Sequence, residues 1–219
     1  MPSLTVENYL KAIYQICQGE QVASTGAVAQ ALDVSAGTVT SMLKTLSATG
    51  LATYTPYEGV RLTPAGQALA LRVVRRHRLI ELFLVKTLHL TWDEVHAEAE
   101  HMEHAVSDFL VDRIDTFLDH PKVDPHGDPI PAADLSLDTT DTETLAECRP
   151  GQGFELSRVI DQSPEFLRFL TESGMTLGSS GVIVANRREA GVVQVQIDGR
   201  ESSIGRDAAE KILVVRRDW

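Results

Sequence analysis

The chain has 219 residues, 43% of them hydrophobic, which is enough to bury the cores of one or two domains. No run of 18 apolar residues is present, which argues against a membrane span, and the first seven residues lack the pattern of a signal peptide. The two cysteines, Cys17 and Cys148, are far apart, which fits a reducing cytoplasm and argues against a disulfide framework or a zinc ribbon.

The net charge of −11 is unevenly distributed along the chain. Residues 1–78 carry seven Lys and Arg against four acidic residues, a net charge of +3, which leaves −14 for residues 79–219. A mildly basic amino-terminal region joined to an acidic remainder favours a nucleic-acid contact at one end and cation binding at the other.

The first part of the chain has the pattern of a helix-turn-helix motif. Helical spacing of apolar residues predicts a first helix over 6–18, and the capping residues Ser24 and Ser35 predict helices over 27–32 and 36–48. In such motifs the second helix enters the major groove of DNA. The candidate DNA contacts are short polar or basic residues of that second helix and its cap: Ser35, Gly37, Thr38, Thr40, Ser41 and Lys44.

Residues 51–54 and 60–63 predict a β-hairpin closed by the loop Pro56–Gly59. A helix-turn-helix followed by a hairpin is typical of a winged helix, and it places Tyr57 and Arg61 on the wing, near DNA phosphates. A winged helix that binds protein instead of DNA is the alternative.

Two long helices follow the wing in the predicted order. Thr63 and Pro64 begin a helix to about Lys86, in which His77 and Glu81 lie one turn apart. A further helix is predicted from Trp92 to about Leu118. Its first part, VHAEAEHMEH (95–104), contains three glutamates and three histidines within ten residues.

This second long helix is predicted to bury one apolar stripe with polar side chains along its flank. The stripe contains Val95, Ala99, Met102, Val106, Phe109 and Phe117. The flank contains His96, Glu100, Glu103 and His104, whereas Glu98 and His101 point to solvent. Clustered carboxylates need positive charge among them, and carboxylate with imidazole is a ligand set for divalent transition metals. A solvent-exposed amphipathic helix is the alternative interpretation.

The remaining chain changes character after residue 118. Prolines between 121 and 131 break it, and the acidic segment 131–142 predicts a linker. Residues 151–154 predict a turn. A short helix over 164–173 and strands over 182–185, 192–197, 202–204 and 212–215 predict a small β-barrel, with Asp198-Gly199 as a hairpin turn.

The winged helix, RRHRLIE (75–81), VHAEAEHMEH (95–104) and PHGDPIP (125–131), in that order, resemble the diphtheria toxin repressor family of metal-activated transcriptional regulators. The resemblance covers nearly the whole chain and implies a mainly α fold with small β parts. It implies a winged helix-turn-helix domain over 1–72, a helical metal-binding and dimerisation domain with linker over 73–142, and an SH3-like domain over 143–219.

The resemblance implies a primary metal site at Asn8, Glu100, Glu103 and His104. Manganese-type members carry aspartate and glutamate at the positions of Asn8 and Glu100, and iron-type members carry methionine and cysteine. Glu100 therefore indicates the manganese type, although the neutral Asn8 departs from it. Lys11 stands where some manganese regulators carry a further acidic ligand, which argues against that variety of two-metal cluster.

An ancillary site is implied at His77, Glu81, His96 and Asp161, with Gln162 as a fifth candidate. A phosphate-facing or core histidine is the alternative for His77, and a solvated loop acid for Asp161. The implied cofactor is Mn²⁺, with Fe²⁺ as the alternative and Zn²⁺, Co²⁺ or Cd²⁺ as substitutes.

The sequence therefore predicts a cytoplasmic, metal-activated transcriptional regulator of metal-ion uptake or homeostasis genes, without a membrane partner or enzymatic activity. It would bind a palindromic double-stranded operator as a homodimer, with the apolar stripe either forming the dimer seam or buried within one subunit.

The competing hypotheses are a metal-independent winged-helix regulator that binds a small organic ligand, and a metalloenzyme. The Glu98-x-x-His101 element fits a di-iron bundle, but such a bundle needs the element twice and the chain offers it once. The resemblance implies repression of metal uptake genes, with activation of efflux genes as the alternative.

Overall fold

The computed structural model describes residues 3–19, 22–138 and 140–217. The described residues leave out residues 1 and 2 of the predicted DNA-binding domain and residue 139 of the predicted linker. They also leave out residues 218 and 219 of the predicted SH3-like domain. The chain divides into two compact units, and the predicted domain boundaries at 72 and 142 remain predictions. Unit 1 is drawn from Met1–His77, Glu103–Val106 and Pro131–Leu137, and unit 2 from Arg78–Met102, Ser107–Ile130 and Asp138–Trp219.

Unit 1 contains the predicted winged helix-turn-helix. Ser24 and Ser35 accept hydrogen bonds from the main-chain N–H groups of Ala27 and Thr38 at 3.0 and 3.2 Å, which fixes where the two motif helices begin. Leu10 of the first helix is fully buried in the same core as the motif helices. The elements are α1 (Leu4–Gly19), α2 (Thr25–Ala31), α3 (Ala36–Ala48), β1 (Ala52–Thr55), β2 (Gly59–Leu62) and the first part of α4 (Pro64–Leu88).

The wing is the antiparallel pair β1 and β2, in register from Ala52 opposite Leu62 to Thr55 opposite Gly59. Val60 also exchanges main-chain hydrogen bonds with Ala23, which ties the wing to the residue before the α2 cap. Gly59 has φ +112°, and a Cβ there would lie 2.6 Å from the Ala23 carbonyl oxygen. Glycine is therefore required where the wing passes this segment.

Unit 2 contains the rest of α4, then α5 (Val95–Met102) and α6 (Asp108–Phe117). The prediction of one helix from Trp92 to Leu118 is wrong, because residues 103–107 form a turn, and Ser107 caps α6 by accepting from the Leu110 N–H at 3.3 Å. The turn resets the helical phase. Phe109 and Phe117 are therefore 71% and 67% exposed, and the predicted stripe does not continue through α6.

The carboxyl-terminal part of unit 2 is the predicted SH3-like domain, an antiparallel sheet over a buried core around Phe154. Within the described residues the strand order is β3-β8-β4-β5-β6-β7. The sequence predicted a turn where β4 begins. The β4 pairing shifts between Leu156 and Arg158, so its burial does not alternate simply. The elements are β3 (Glu143–Thr144), β4 (Gly153–Val159), α7 (Pro164–Glu172), β5 (Ser180–Arg187), β6 (Val192–Ile197), β7 (Arg200–Gly205), α8 (Arg206–Ala209) and β8 (Ile212–Arg217).

Among the residues described, no helix combines the length and the apolar character that crossing a membrane requires.

Candidate metal centres

The centre of polar contacts in unit 1 is the fully buried side chain of Glu103, in the turn after α5. Its two carboxylate oxygens accept hydrogen bonds from Lys11 Nζ at 3.1 and 2.9 Å. Oε2 also lies 2.6 Å from His77 Nδ1. Lys11 belongs to α1 and His77 to α4, and each is 6% exposed. Three segments of the chain therefore meet at one buried carboxylate.

His104 lies beside this carboxylate and is oriented by Glu7. Its Nδ1 is 2.8 Å from Glu7 Oε2, and its Nε2 is 3.2 Å from Glu103 Oε1. A histidine that gives one ring nitrogen to a carboxylate and presents the other is typical of a metal ligand with a fixed ring orientation. Arg76 Nη1 lies 3.6 Å from the same Glu7 oxygen. Glu7 was not among the predicted site residues, although it immediately precedes Asn8.

Asn8 supplies an independent indication that this cluster fits a cation. Its Oδ1 is buried, and no described residue donates a hydrogen bond to it. A buried polar atom without a partner costs free energy, and a divalent ion would satisfy it. Together, Asn8, Glu103 and His104 offer amide oxygen, carboxylate and imidazole, a set that suits Mn²⁺ or Fe²⁺.

The charge state of Glu103 is set by opposing effects. Burial acts to raise the pKa of its carboxyl, but the hydrogen bond with His77 and the positive charge of Lys11 outweigh it. The net result is a pKa below the ordinary glutamate value. Glu103 is therefore ionised near neutral pH and does not have to lose a proton to act as a ligand.

Glu100, the remaining predicted primary ligand, belongs to unit 2. Its side chain is 41% exposed, and Oε1 lies 3.9 Å from His96 Nε2 on the same face of α5. His96 Nδ1 is in turn 3.2 Å from Glu81 Oε1 of α4. Unit 2 thus brings together Glu81 and His96, two of the four residues predicted for the ancillary site.

Unit 2 also holds a buried trio, of which the sequence predicted only Glu81 as a ligand. Glu81, Asp124 and His126 are 1%, 2% and 0% exposed. One ligand atom from each lies within 4.8 Å of the other two, a spacing that would suit a common metal ion. Glu81 connects this trio to His96, so a single carboxylate contacts two imidazoles.

The His126 ring is prepared for metal binding by its hydrogen bond. Its Nε2 lies 2.7 Å from the Trp92 carbonyl oxygen, which can only accept, so Nε2 carries the proton. Nδ1 is buried, makes no hydrogen bond among the described residues, and lies 3.7 Å from Glu81 Oε2. Once Nδ1 has lost any proton, the neutral ring can bind a metal through that nitrogen.

The trio makes the metal-free chain less stable as the pH rises. Burial, with the negative charges of Glu81 and Asp128, raises the pKa of Asp124 from 3.8 to about 7. Between these values the folded chain holds a proton that the unfolded chain has released, so the free energy of unfolding falls with rising pH.

We therefore expect wild type in excess chelator to lose about 2–4 kcal/mol between pH 4 and pH 7 from this group. Urea unfolding of wild type and Asp124→Asn at several pH values measures the free energy of unfolding. In the variant, this free energy should lose most of its dependence on pH. Burial lowers the pKa of His126, but Glu81 and Asp124 outweigh it and raise it on balance. The part of the resulting loss that comes from Glu81, above pH 6.5, remains in the variant. Asp119→Asn, at an exposed position, is the control. If the free energy of unfolding depended on pH identically in all three proteins, the assignment of this effect to Asp124 would be contradicted.

The loop that carries Asp124 and His126 is fixed at Asp128. The Asp128 carboxylate contacts Arg158 of β4, lies 3.3 Å from Arg78 Nη2 and accepts a hydrogen bond from Gln162 Nε2 at 2.8 Å. Gly127 has φ +86°, and a Cβ there would lie 2.0 Å from the Ser157 carbonyl oxygen. Residues 124–128 are therefore an ordered ligand-bearing loop inside unit 2.

The other predicted ancillary residues make different contacts. Asp161 Oδ2 pairs with Lys211 Nζ at 2.8 Å, and Oδ1 accepts from the Ser163 N–H at 3.0 Å. Gln162 is held by Asp128, as described above, and His77 contacts Glu103 in unit 1. The four-residue ancillary set therefore stays a prediction, of which Glu81 and His96 are seen in contact.

The predicted DNA-binding residues lie on α3 and the wing of unit 1. Thr40, Lys44 and Tyr57 line one cavity of about 490 Å³, between α3 and the β1–β2 loop. Tyr57 is fully exposed at the wing tip. Three hydroxyls make local contacts in α3 and its cap: Thr40 donates to the Ala36 carbonyl oxygen, and Ser35 Oγ lies 2.9 Å from Thr38 Oγ1. Ser35, Gly37, Thr38, Ser41, Lys44 and Arg61 are exposed.

Three known domain families match this chain. The amino-terminal DNA binding domain of iron dependent repressors matches residues 1–60, their metal binding and dimerisation domain matches 63–132, and the FeoA domain matches 143–216. The diphtheria toxin repressor of Corynebacterium efficiens is 30% identical over 225 residues, covering 98% of this chain and 96% of its own.

Two solved structures resemble the whole chain. A manganese-dependent transcriptional repressor in complex with manganese has a TM-score of 0.89 at 41% identity, covering 97% of this chain and 100% of its own. ScaR with bound Zn²⁺ has a TM-score of 0.81 at 34% identity, covering 99% of this chain and 100% of its own.

Proposed function

The chain belongs to the iron-dependent repressor family, metal-dependent DNA-binding transcriptional repressors that include the diphtheria toxin repressor, and from that premise we propose that Mn²⁺ is its activating ion. The observation that carries the proposal is the donor set around Glu103, which consists of oxygen and nitrogen atoms. Cys148 is buried in the core of the SH3-like domain, so its thiolate is not available as a metal ligand. Hard oxygen donors favour Mn²⁺ or Fe²⁺ over softer ions. Fe²⁺ is the alternative, and the experiment below ranks the two.

The proposed primary ligands are Asn8, Glu103 and His104, with Glu100 kept as the fourth on the strength of the family resemblance. A bound ion would supply positive charge beside Glu103 and a bond to the unpartnered Asn8 oxygen. Asn8 lies on α1, and α1 shares its core with α3 through Leu10 and Leu43. Fixing Asn8 would therefore restrict α1, and through the shared core the orientation of the recognition helix.

The proposed ancillary ligands are Glu81, Asp124 and His126, with His96 as the neighbouring imidazole and Asp161 retained from the resemblance. His126 would bind through Nδ1, because Nε2 is committed to the Trp92 carbonyl. These residues connect α4 to the loop that contacts β4 through Asp128 and Arg158. Binding here would stabilise the packing of the SH3-like domain on the helices of unit 2.

The proposed homodimer uses the exposed apolar face of α6 as its seam. Phe109, Leu110 and Phe117 are 71%, 47% and 67% exposed, and this helix lies inside the segment matched by the dimerisation domain model. A two-fold dimer presents two recognition helices, so the proposed operator is palindromic, with half-sites about 34–36 Å apart or a multiple of that.

Fluorescence anisotropy of a labelled operator tests the proposal, at fixed salt, with chelator and then with Mn²⁺, Fe²⁺ and Zn²⁺. The DNA would be a palindrome selected from binding sites upstream of metal-transport genes. We expect tightening of tenfold or more with the physiological ion, about 1.4 kcal/mol. Reciprocity requires the operator to tighten metal binding by the same factor. Equal specific binding with and without metal would favour the rival, a regulator that responds to a small organic ligand.

A further inference from the structure

Lys11 is a buried cation at the predicted metal centre, and the proposed function does not use it. It lies one helical turn after Asn8, so both side chains leave the same face of α1. Its Nζ lies 3.1 and 2.9 Å from the two Glu103 carboxylate oxygens and 3.2 Å from His77 Nδ1. With 6% of its surface exposed, Lys11 contacts Glu103 with little solvent to screen the charges.

This contact places an ammonium on both oxygens that the metal centre would use. Arg76, a second cation nearby, donates to the main-chain oxygen of Glu103 at 3.0 Å. A divalent ion at Glu103 and His104 would therefore share the carboxylate with Lys11. It would also be repelled by the ammonium across a short, weakly screened distance.

We propose that Lys11 is an internal competitor for the metal, which neutralises Glu103 in the metal-free chain and lowers the affinity of the centre for divalent ions. Two effects act in the same direction. Lys11 stabilises the free form, because a buried carboxylate without a positive partner is costly. It also destabilises the loaded form through like-charge repulsion. Lys11 thereby raises the ion concentration at which the chain is loaded. This inference rests on the proposed function of the Glu103 centre.

The test compares Mn²⁺ affinity in wild type, Lys11→Met and Lys11→Gln. Methionine keeps much of the side-chain length without charge, and glutamine keeps a hydrogen-bond donor without charge. Lys86→Met, at an exposed lysine of α4, is the matched control. Free Mn²⁺ is measured by electron paramagnetic resonance at fixed pH and salt. Thermal unfolding is measured with chelator and with Mn²⁺.

We expect both Lys11 variants to bind Mn²⁺ at least tenfold more tightly than wild type and to unfold at lower temperature in chelator. Their gain in melting temperature on adding Mn²⁺ should exceed that of wild type. A variant that folds only with Mn²⁺ would support the inference, because the ion would then replace the missing charge. Lys86→Met should match wild type in both measurements.

Affinities within threefold of wild type, or weaker, in the folded variants would overturn the inference, since Lys11 would then be neutral toward the metal or would support its ligands. Wild type that binds no divalent ion would overturn the proposed function and this inference with it. The two failures are distinguishable because the first requires a wild type that binds Mn²⁺.

Discussion

Glu103→Gln is expected to abolish the metal-dependent gain in operator affinity. The amide keeps the size of the side chain but loses the charge that a divalent ion needs, and Glu103 is the fully buried carboxylate of the unit 1 cluster. The tenfold or greater tightening with Mn²⁺, about 1.4 kcal/mol, should therefore disappear in the anisotropy measurement. Glu98→Gln, at an exposed glutamate of α5, is the matched control and should respond as wild type does.

The same variant is expected to lower the free energy of unfolding in chelator by about 3–5 kcal/mol. Buried Lys11 loses the carboxylate charge at 2.9 Å, and His77 loses its carboxylate contact at 2.6 Å. Urea unfolding measures this loss. The double variant Lys11→Met/Glu103→Gln should recover much of the stability while remaining unresponsive to metal. If Glu103→Gln kept the full metal response, the Glu103 centre would be excluded as the switch.

The sequence predicted those helices and strands whose ends are marked by a local signal, such as a capping residue, a glycine or a proline. The recognition helix was placed at 36–48, as α3 is, because Ser35 supplies a cap and Gly50, with φ +73°, supplies a stop. The wing and the long α4 were placed for similar reasons, since Pro64 can begin a helix but not continue one.

The turn at 103–107 was missed because the sequence EHAVS contains neither proline nor glycine, and helical periodicity could be traced through it. Two members of the buried trio, Asp124 and His126, were missed for a different reason. Asp124 and His126 lie in a segment rich in proline and glycine, which was interpreted as a break in the chain. Its order comes from contacts with distant residues, such as Arg78 and Arg158 on Asp128. Such long-range contacts leave no periodic signal in the sequence.

Because the helix is interrupted after Met102, the residues exposed for a dimer contact differ from those of the continuous helix that the sequence predicted. In a continuous helix Phe109 and Phe117 would have joined the buried stripe of Val95 and Ala99. The cap at Ser107 turns them outward, where solvent reaches most of each ring. Exposed aromatic side chains that cluster on one helix are typical of a protein interface.

Phe109→Asp is therefore expected to convert the homodimer into a monomer. A buried aromatic at the centre of an interface contributes about 2–4 kcal/mol, and a carboxylate in its place must be desolvated twice in a two-fold seam. The dimer dissociation constant should rise by about 30-fold to 1,000-fold, which sedimentation equilibrium measures. Because each half-site would then be bound by a separate molecule, operator affinity in Mn²⁺ should fall with it. Ile160→Asp, at a 56% exposed isoleucine of the SH3-like domain, is the control and should remain dimeric. A Phe109→Asp protein that stays dimeric would move the seam away from α6, and the exposed rings would then need a different partner.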